Sequence, residues 1–331
     1  MRTLIVKENE KGQRLDKLLA KYLNMAPKSF LYKMLRKKNI VLNGKKAVGS
    51  EVLSYGDQIV LYLSEETIEK FIKEKKIEIV ENKLDILYED ANVLFLNKPV
   101  GVLSQKAKTS DISITEMVLS YLLEKGEMSK EDLKSFSPSV CNRLDRNTTG
   151  ILAAGKSLLG LQGLSEVFKD RSIEKYYLCM VKGEKKEEEL LEGFLSKNLY
   201  INQVTIKKQA QSEEDLPIRT LYAPLASNGE VTLLKVKLIT GRSHQIRAHL
   251  ASIGNPIIGD GKYGDIQLNR YYKKKYQVMS QLLHSYKLVL PPLLGELSYL
   301  SGLVVKAPLP DLFFQVMEGE KIKWQHGIPE G

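Results

Sequence analysis

Short apolar strands and amphipathic helices alternate between residues 84 and 315, but their spacing lacks the regular βαβ period of a doubly wound sheet. The stretch VLFLNKP at 93–99 is apolar and ends at a proline, as strands do. GILAAG at 150–155 indicates a buried strand, an amphipathic helix follows it up to residue 169, and 111–134 has helical character. The sequence therefore predicts an α+β fold.

Three segments in the second half of the chain have clear local patterns. KYYLCMVKG at 175–183 alternates strictly, which predicts a strand ending at Gly183. VTLLKVKLITG at 231–241 predicts another strand. SHQIRAHLASIG at 243–254 predicts a helix that Gly254 closes.

The amino-terminal segment has a smaller pattern of its own. Apolar residues recur at helical spacing in 14–23 and again in 29–38, where Ser29 is a candidate N-cap. NIVLNGKK then predicts a strand that enters a two-residue hairpin turn at Asn43-Gly44. Two short helices and a few short strands are expected here.

These patterns divide the chain into three parts. Residues 1–63 are predicted to be a small α+β domain. Residues 64–83 are mostly charged and contain no turn residues, which indicates a linker, helical in part. Residues 84–331 are predicted to be the larger domain.

The chain carries a formal charge of +10, and most of it lies near the amino terminus. Residues 1–62 contain 13 basic and five acidic side chains. The cations that cluster at the end of the second helix and around the hairpin turn are Arg36, Lys37, Lys38, Lys45 and Lys46. A solvated charged helix is one reading. Crowded like charges favour the other, a nucleic-acid phosphate backbone as partner.

Several classes of protein are disfavoured by the sequence. Cys141 and Cys179 are the only cysteines, which indicates a reducing compartment, and the amino terminus lacks an apolar signal core. The most apolar late stretch is interrupted by two prolines and a glutamate, so no membrane span is expected. His244 and His249 are five positions apart, which does not place both on one helical face, so no metal is predicted. We expect a cytoplasmic protein.

One short stretch, NRLDRNTTGIL at 142–152, concentrates polar chemistry. Asp145 lies between Arg143 and Arg146, which favours a charged carboxylate. A surface ion pair is the simplest interpretation. A carboxylate kept charged for chemistry on a polyanion is the alternative.

Three other side chains are candidates for the same site. Tyr177 lies on a predicted strand, where tyrosines usually belong to the core, and Arg247 lies on a predicted helix, where it could form an ordinary ion pair. Arg242 precedes that helix, so it could bind a phosphate or be a solvated turn residue. The residues alone do not show whether these groups meet.

The motif at 142–152 resembles the catalytic motif of the RluA-type pseudouridine synthases, the ribosomal large-subunit group. Other segments resemble further motifs of that family, in the family's order. They are NKPVGVLSQ at 97–105, KYYLCMVKG at 175–183 with Cys179 in the usual alanine position, TGRSHQIRAHLASIGNPIIGDGKYG at 240–264, LHSYKL at 283–288 and KAPLPDLF at 306–313. Together they cover nearly all of the chain from 84 to 315.

The amino-terminal domain is similar to the alpha-L RNA-binding domain, a usual partner of this catalytic domain. Its matching segments are RLDKLL at 14–19, LRKKNIVLNGK at 35–45 and GDQI at 56–59. The two resemblances together imply a pseudouridine synthase fold with a mixed, largely antiparallel central sheet flanked by helices, preceded by a small RNA-binding domain.

The resemblance also implies roles for residues at matching positions. Asp145 is implied as the catalytic aspartate, Tyr177 as the aromatic that packs against the target base, and Arg247 as the arginine that pairs with the aspartate. Arg146 is implied as a wedge that fills the space left by a flipped base, or else as a phosphate contact, and Arg143 and Arg242 as RNA contacts. No cofactor and no metal are implied.

Two positions depart from the family pattern. The family often has histidine before its RLDR motif and aspartate after it, where this chain has Asn142 and Asn147. Neither is the implied catalytic group, so activity is expected to persist.

The function implied is isomerisation of specific uridines in large-subunit ribosomal RNA, by a monomeric enzyme that flips its target base. Two alternatives stay open: the same chemistry on transfer RNA or on several RNAs, and a non-catalytic RNA-binding ribosome assembly factor. Attack by the aspartate on the base or on the sugar is also left open.

Overall fold

The computed structural model describes residues 1–73, 80, 83–108, 110–198, 201 and 203–324. Most of the second half of the predicted linker, 74–79 and 81–82, therefore lies outside the described residues. The chain forms two compact units. The first comprises Met1–Phe95, Gln105–Asn142 and Ala153–Glu166, and the second comprises Leu96–Ser104, Arg143–Leu152 and Val167–Gly331.

The strands and helices are numbered in chain order. The strands are β1 (Arg2–Ile5), β2 (Ile40–Leu42), β3 (Lys45–Lys46), β4 (Gln58–Leu61), β5 (Ile86–Glu89), β6 (Val93–Lys98), β7 (Ser139–Val140), β8 (Thr149–Gly155), β9 (Glu174–Lys182), β10 (Glu189–Asn198), β11 (Gln203–Lys207), β12 (Leu216–Ser227), β13 (Val231–Leu238), β14 (Leu283–Val289) and β15 (Val304–Lys306). The helices are α1 (Leu15–Tyr22), α2 (Lys28–Arg36), α3 (Glu65–Lys70), α4 (Ile114–Glu124), α5 (Leu158–Lys169), α6 (Gln245–Ser252), α7 (Ile266–Tyr276) and α8 (Asp311–Gly319).

The first unit begins with α1 and α2 packed on a small sheet in the order β1-β4-β2-β3. Asn43 and Gly44 have φ angles of 50° and 72°, the two positive values that a tight hairpin turn requires, so the turn prediction is confirmed. The predicted cap is wrong: α2 begins at Lys28 after Pro27, which places Ser29 inside the helix. Pro27 presets the backbone for helix entry without a side-chain acceptor.

Helix α3 lies in the segment predicted as a linker. Ser64 caps it by accepting a hydrogen bond from the Thr67 N–H at 3.2 Å. Ile68 is fully buried and packs in the same apolar cluster as α1 and α2, and Phe71 packs beside it. The start of this charged segment is therefore tied to the amino-terminal core. Division of the chain at residues 63 and 84 stays a prediction.

The rest of the first unit contains β5, β7, α4 and most of α5. Helix α4 is shorter than the helical pattern at 111–134, because Gly126, with a φ of 72°, follows its end. A short 3-10 turn then covers 132–134.

The second unit is built on strands in the order β11-β10-β12-β13-β9-β14-β8. Neighbours from β11 to β14 are antiparallel, and β14 pairs in parallel with β8 through His284 opposite Thr149. The predicted mixed, largely antiparallel sheet is confirmed. Strands β10, β11 and β12 were not predicted from the sequence patterns.

Strand β9 lies in the middle of this sheet. The predicted strand is confirmed and ends at Lys182, directly before Gly183, and residues 175–181 are all buried, so both of its faces are covered. Met180 packs against Tyr272 of α7 and Phe313 of α8 on one face. Tyr177 points to the opposite face by strand alternation. Within the residues described, no helix has both the length and the apolar content needed to cross a bilayer.

Candidate active site

Asp145 lies on a loop between β7 and β8 that is held by backbone hydrogen bonds. The Thr148 N–H donates to the Asp145 carbonyl at 3.0 Å, which closes a tight turn. The Ser104 hydroxyl donates to the Leu144 carbonyl at 2.9 Å and lies 3.0 Å from the Leu144 N–H. The Gly101 N–H donates to the Arg146 carbonyl at 3.0 Å. The segment 99–104 therefore positions the loop that carries Asp145.

Lys98 contacts both the segment 99–104 and the loop that carries Asp145. Its side chain is fully buried, and its ammonium donates to the carbonyls of Pro99, Val102 and Arg146, each at 2.8 Å. Burial lowers the pKa of Lys98 to about 7, and the negative charge of Asp145 opposes that decrease. Three carbonyl acceptors require three N–H donors, which only the ammonium form supplies. We therefore expect Lys98 to be charged at neutral pH.

Replacing Lys98 by methionine tests whether these three hydrogen bonds hold the Asp145 loop in place as an anchor. Lys98→Met leaves three carbonyls without their donor, so we expect a loss of about 2–4 kcal/mol in the free energy of unfolding, measured by urea denaturation. The rate of any reaction in which Asp145 takes part should fall by about tenfold or more, because the loop that carries Asp145 would shift. Lys108→Met, at an exposed lysine, is the control. Unchanged stability in the Lys98 variant would contradict the anchor.

Arg247 on α6 is the cation that contacts Asp145. Its Nη1 lies 2.7 Å from Asp145 Oδ2, across 102 positions of sequence. The Arg247 side chain is 7% exposed and the Asp145 side chain 25%, so the carboxylate keeps an open side. Burial works to lower the pKa of Arg247, but Asp260 and Asp145 outweigh burial and raise it. Arg247 therefore stays charged.

The adjacent arginines are placed differently from the sequence expectation. Arg143 and Arg146 are both exposed, and Arg146 Nε donates to the Gly101 carbonyl at 2.9 Å. The cation that contacts Asp145 is thus contributed by a helix distant in sequence. The contact between Arg247 and Asp145 is the pairing that the family resemblance implied, whereas the local sequence favoured the flanking arginines as the source of positive charge.

Tyr177 lies on β9 opposite Ser285 of β14 and is 6% exposed. Burial raises the pKa of its hydroxyl to about 12, the Ser285 side chain opposes the increase, and the charge of Asp145 adds to it. The Tyr177 hydroxyl is therefore protonated at neutral pH, and the carboxylate acts on it electrostatically. Asp145 and Arg247 are in direct contact, and Tyr177 is near enough for the charge of Asp145 to act on its pKa.

His244 also faces this site. It precedes α6 with a φ of 55°, and its Nε2 lies 3.9 Å from Asp145 Oδ1. Its Nδ1 lies 2.9 Å from the Tyr263 hydroxyl, which accepts the Val204 N–H. The hydroxyl can donate its own proton to Nδ1, and in that arrangement Nε2, the nitrogen nearer Asp145, carries the imidazole hydrogen. Burial lowers the pKa of His244, with Asp145 opposing, which favours this neutral form.

Three groups at the site were missed as functional residues: Lys98, Asp260 and Tyr263. All three lie in segments whose resemblance to family motifs was recognised, NKPVG and GDGKYG, but no role followed from composition or spacing. The available signal was the placement of a lysine before proline and of an aspartate between glycines. Their contacts depend on tertiary structure.

The remaining predicted contacts lie at exposed or partly exposed positions. Arg242 is half-buried before α6, and among the described residues its Nε is a buried donor without a hydrogen-bond partner. The five cations of the amino-terminal cluster, Arg36, Lys37, Lys38, Lys45 and Lys46, are all exposed. The Asn142 Oδ1 accepts the Ala153 N–H at 2.8 Å, so this departure from the family pattern has a structural contact, and Asn147 is half-buried.

Comparison with known proteins places these features in a family. The family described as RNA pseudouridylate synthase matches residues 92–252. An uncharacterized RNA pseudouridine synthase of Mycoplasma genitalium is 32% identical over 299 residues, covering 88% of this chain and 89% of that protein. Ribosomal large subunit pseudouridine synthase C of Vibrio vulnificus is 29% identical over 272 residues, covering 80% of this chain and 81% of that protein.

A solved structure shares the fold. Human RNA pseudouridylate synthase domain containing 4 superposes with a TM-score of 0.57 at 22% identity, covering 72% of this chain and 94% of that one. The region that the family matches, residues 92–252, contains Asp145, Tyr177 and Arg247. The similarity to the relative from Mycoplasma genitalium extends over most of the chain. The chain therefore belongs to the RNA pseudouridylate synthase family and is an enzyme that isomerises uridine to pseudouridine in RNA.

Proposed function

We propose that the enzyme modifies specific uridines in large-subunit ribosomal RNA. Relatives that cover four fifths of the chain are named ribosomal large subunit pseudouridine synthase C, including those of Vibrio vulnificus and Escherichia coli. The exposed cation cluster beside the hairpin turn suits a large folded polyanion. We propose further that it acts as a monomer in the cytoplasm.

Mapping modified uridines tests the RNA class. Ribosomal and transfer RNA from cells with and without the gene would be treated with carbodiimide and read by primer extension. We expect at least one stop in large-subunit ribosomal RNA to disappear in the deletion strain and to return when the gene is restored. Stops lost only from transfer RNA would assign the other substrate class. An unchanged pattern in all RNAs would favour the assembly-factor alternative.

The site geometry supports specific roles for the three converging residues. The reaction breaks the bond from N1 of uracil to C1′ of the ribose and forms a bond from C5 to C1′, while the C5 proton leaves and N1 gains a proton. No electrons are gained or lost. Asp145 is the nucleophilic or charge-stabilising carboxylate, and the charge-assisted bond from Arg247 orients it toward its open side.

The target base must leave its stack to reach Asp145. Extruding the base costs roughly a few kcal/mol of free energy, and stacking the extruded base on an aromatic ring offsets about 1–3 kcal/mol of that cost. Tyr177 supplies that ring beside the carboxylate. Arg146 is exposed on the Asp145 loop, where it can fill the gap left by the base or bind a phosphate. The unpaired Nε of Arg242 supports a phosphate contact at the start of α6.

Neutralising the amino-terminal cluster tests its part in binding. In a variant with Lys37, Lys38, Lys45 and Lys46 all replaced by glutamine, we expect weaker RNA binding. The slope of log K against log salt should fall in magnitude by about 0.7–0.9 for each phosphate that the variant no longer neutralises. Filter binding across a salt series measures it.

A matched control removes the same charge elsewhere. The four exposed lysines at 169, 186, 208 and 274 are replaced by glutamine in the control variant. We expect its slope to change less than that of the cluster variant. Equal slopes in the two variants would show that net charge, not this cluster, governs RNA binding.

A further inference from the structure

Arg247 binds a second carboxylate besides Asp145. Its Nε lies 2.7 Å from Asp260 Oδ2 and its Nη2 lies 2.8 Å from Asp260 Oδ1, a two-point fork along one edge of the guanidinium. Asp260 is 1% exposed, so it has no route to RNA. The Nη1 group is left to bind Asp145 at 2.7 Å. Asp260 thus determines which nitrogen of Arg247 faces the candidate catalytic carboxylate.

Asp260 is itself held rigidly by a turn. Its Oδ1 accepts the N–H groups of Lys262 at 2.8 Å and Tyr263 at 3.1 Å, while its carbonyl accepts the Gly264 N–H and the Asn269 Nδ2, each at 2.9 Å. A Cβ at Gly264 would meet the Asp260 carbonyl oxygen at 2.2 Å, so the turn requires glycine there. Burial alone would raise the pKa of Asp260. Arg247 and these N–H groups have the larger effect, so the pKa is lowered overall.

The same turn supports Arg247 from a second direction. The Tyr263 ring centroid lies 5.3 Å from the Arg247 Cζ, within cation–π range, and its hydroxyl contacts His244 Nδ1 at 2.9 Å. Residues 260–264 therefore contact both Arg247 and His244, the two side chains that face Asp145. Few rotamers of Arg247 satisfy the fork, the ring and Asp145 together.

We propose that Asp260 is a positioning residue for catalysis, which holds the Arg247 guanidinium so that Nη1 meets Asp145; the proposal rests on the proposed role of Asp145. Asp260 acts only through Arg247. Its charge also offsets that of Arg247, so the carboxylate at Asp145 is oriented by a hydrogen bond without facing an uncompensated cation. A misplacement of about 1 Å at such a group reduces rates by about 100-fold.

The variant Asp260→Asn tests the proposal. An amide accepts at one atom and donates at the other, so it cannot accept both guanidinium N–H groups. We expect kcat to fall by about 10- to 100-fold with KM within about twofold, measured on ribosomal RNA labelled with tritium at uridine C5. Asp265→Asn is the matched control, because Asp265 lies nearby in sequence, caps α7 and binds Lys182. A wild-type kcat for Asp260→Asn would overturn the proposal.

A double-variant cycle separates positioning from a general structural effect. If Asp260 acts through Arg247, the double variant Arg247→Met/Asp260→Asn should have the same kcat as Arg247→Met alone. A further multiplicative drop would overturn the proposal. The double variant leaves no unpaired buried charge at these two positions, and kcat is compared only under conditions in which circular dichroism shows both variants to be folded, so the comparison does not depend on the folding of Asp260→Asn alone.

A crystal structure of Asp260→Asn gives a readout that does not depend on activity. We expect the guanidinium to turn and the distance from Nη1 to Asp145 Oδ2 to exceed about 3.5 Å, beyond hydrogen-bonding range. An unchanged Arg247 would overturn the positioning proposal. Absence of pseudouridine formation by the wild-type protein on every RNA would instead refute the proposed substrate and the role of Asp145, and the crystal structure would still decide the role of Asp260.

Discussion

The variant Asp145→Asn is expected to lose pseudouridine formation, by roughly 1,000-fold or more, as removal of a nucleophilic group does in other enzymes. The amide keeps the shape of the side chain and still accepts a hydrogen bond from Arg247, but it lacks the negative charge that the proposed chemistry needs. Tritium release from RNA labelled at uridine C5 measures the loss.

RNA binding and folding should persist in this variant. Arg247 keeps its two bonds to Asp260, so no buried cation is left unpaired, and the substituted amide side chain remains partly exposed at the same place. Binding affinity should stay within a few-fold of the wild type, and the melting temperature should be nearly unchanged. Asp265→Asn again serves as the control. Normal turnover by Asp145→Asn would refute the proposed role of Asp145.

The variant Arg247→Met is expected to lose both activity and stability. The substitution leaves the buried Asp260 without its cation. Breaking a buried ion pair in this way lowers the free energy of unfolding by about 3–5 kcal/mol. Arg247→Lys keeps the charge but cannot form the two-point fork with Asp260 and reach Asp145 as well, so it should recover only part of the loss. Urea denaturation at pH 7 measures the stability, with Arg270→Met, an exposed arginine on α7, as the control.

The stability loss should depend on pH in a defined direction. In the wild type the pKa of Asp260 is lowered, so the pair stabilises the protein above the unfolded pKa of about 4 and this contribution is lost as pH falls further. Without Arg247, burial favours the protonated carboxyl, so the penalty is greatest at high pH and shrinks as pH falls. The difference between the wild type and Arg247→Met should therefore narrow between pH 7 and about pH 4. A difference that is constant over this range, or absent at pH 7, would contradict the buried pair.

Several local elements follow from short-range patterns. The leucine spacing of α1, the apolar face of α2, the Asn43-Gly44 turn and the apolar run of β9 each depend on residues within about one or two turns of chain. Such patterns determine which backbone conformation is favoured and which face is apolar. They are less informative at the ends of elements: α4 ends at Glu124 because Gly126 adopts a positive φ, and the cap predicted at Ser29 is replaced by Pro27.

Strands β10 and β12 were not predicted because the sequence of β10 mixes apolar and polar residues without a regular period and β12 contains two prolines. In β12 the inward positions 218, 220 and 222 include a threonine, so its alternating burial is not visible as alternating apolar residues. Strand β9 was predicted, but the sequence did not show that both of its faces are covered. Its position in the middle of the sheet buries both faces, and burial of the second face depends on elements distant in sequence.

The motifs indicated the family and the candidate set of Asp145, Tyr177 and Arg247, and the resemblance implied that Arg247 pairs with Asp145, because motif residues and local periodicity can be recognised in a linear sequence. The tertiary structure was needed to show that this implied pairing forms and that the adjacent arginines do not take its place. Arg143 and Arg146 are two positions and one position away in sequence, yet their side chains are exposed, and the contact comes from Arg247 at a separation of 102 positions. Asp260 and the turn at 260–264 orient that arginine, because a rigid guanidinium can satisfy two carboxylates only when folding places both at its edges.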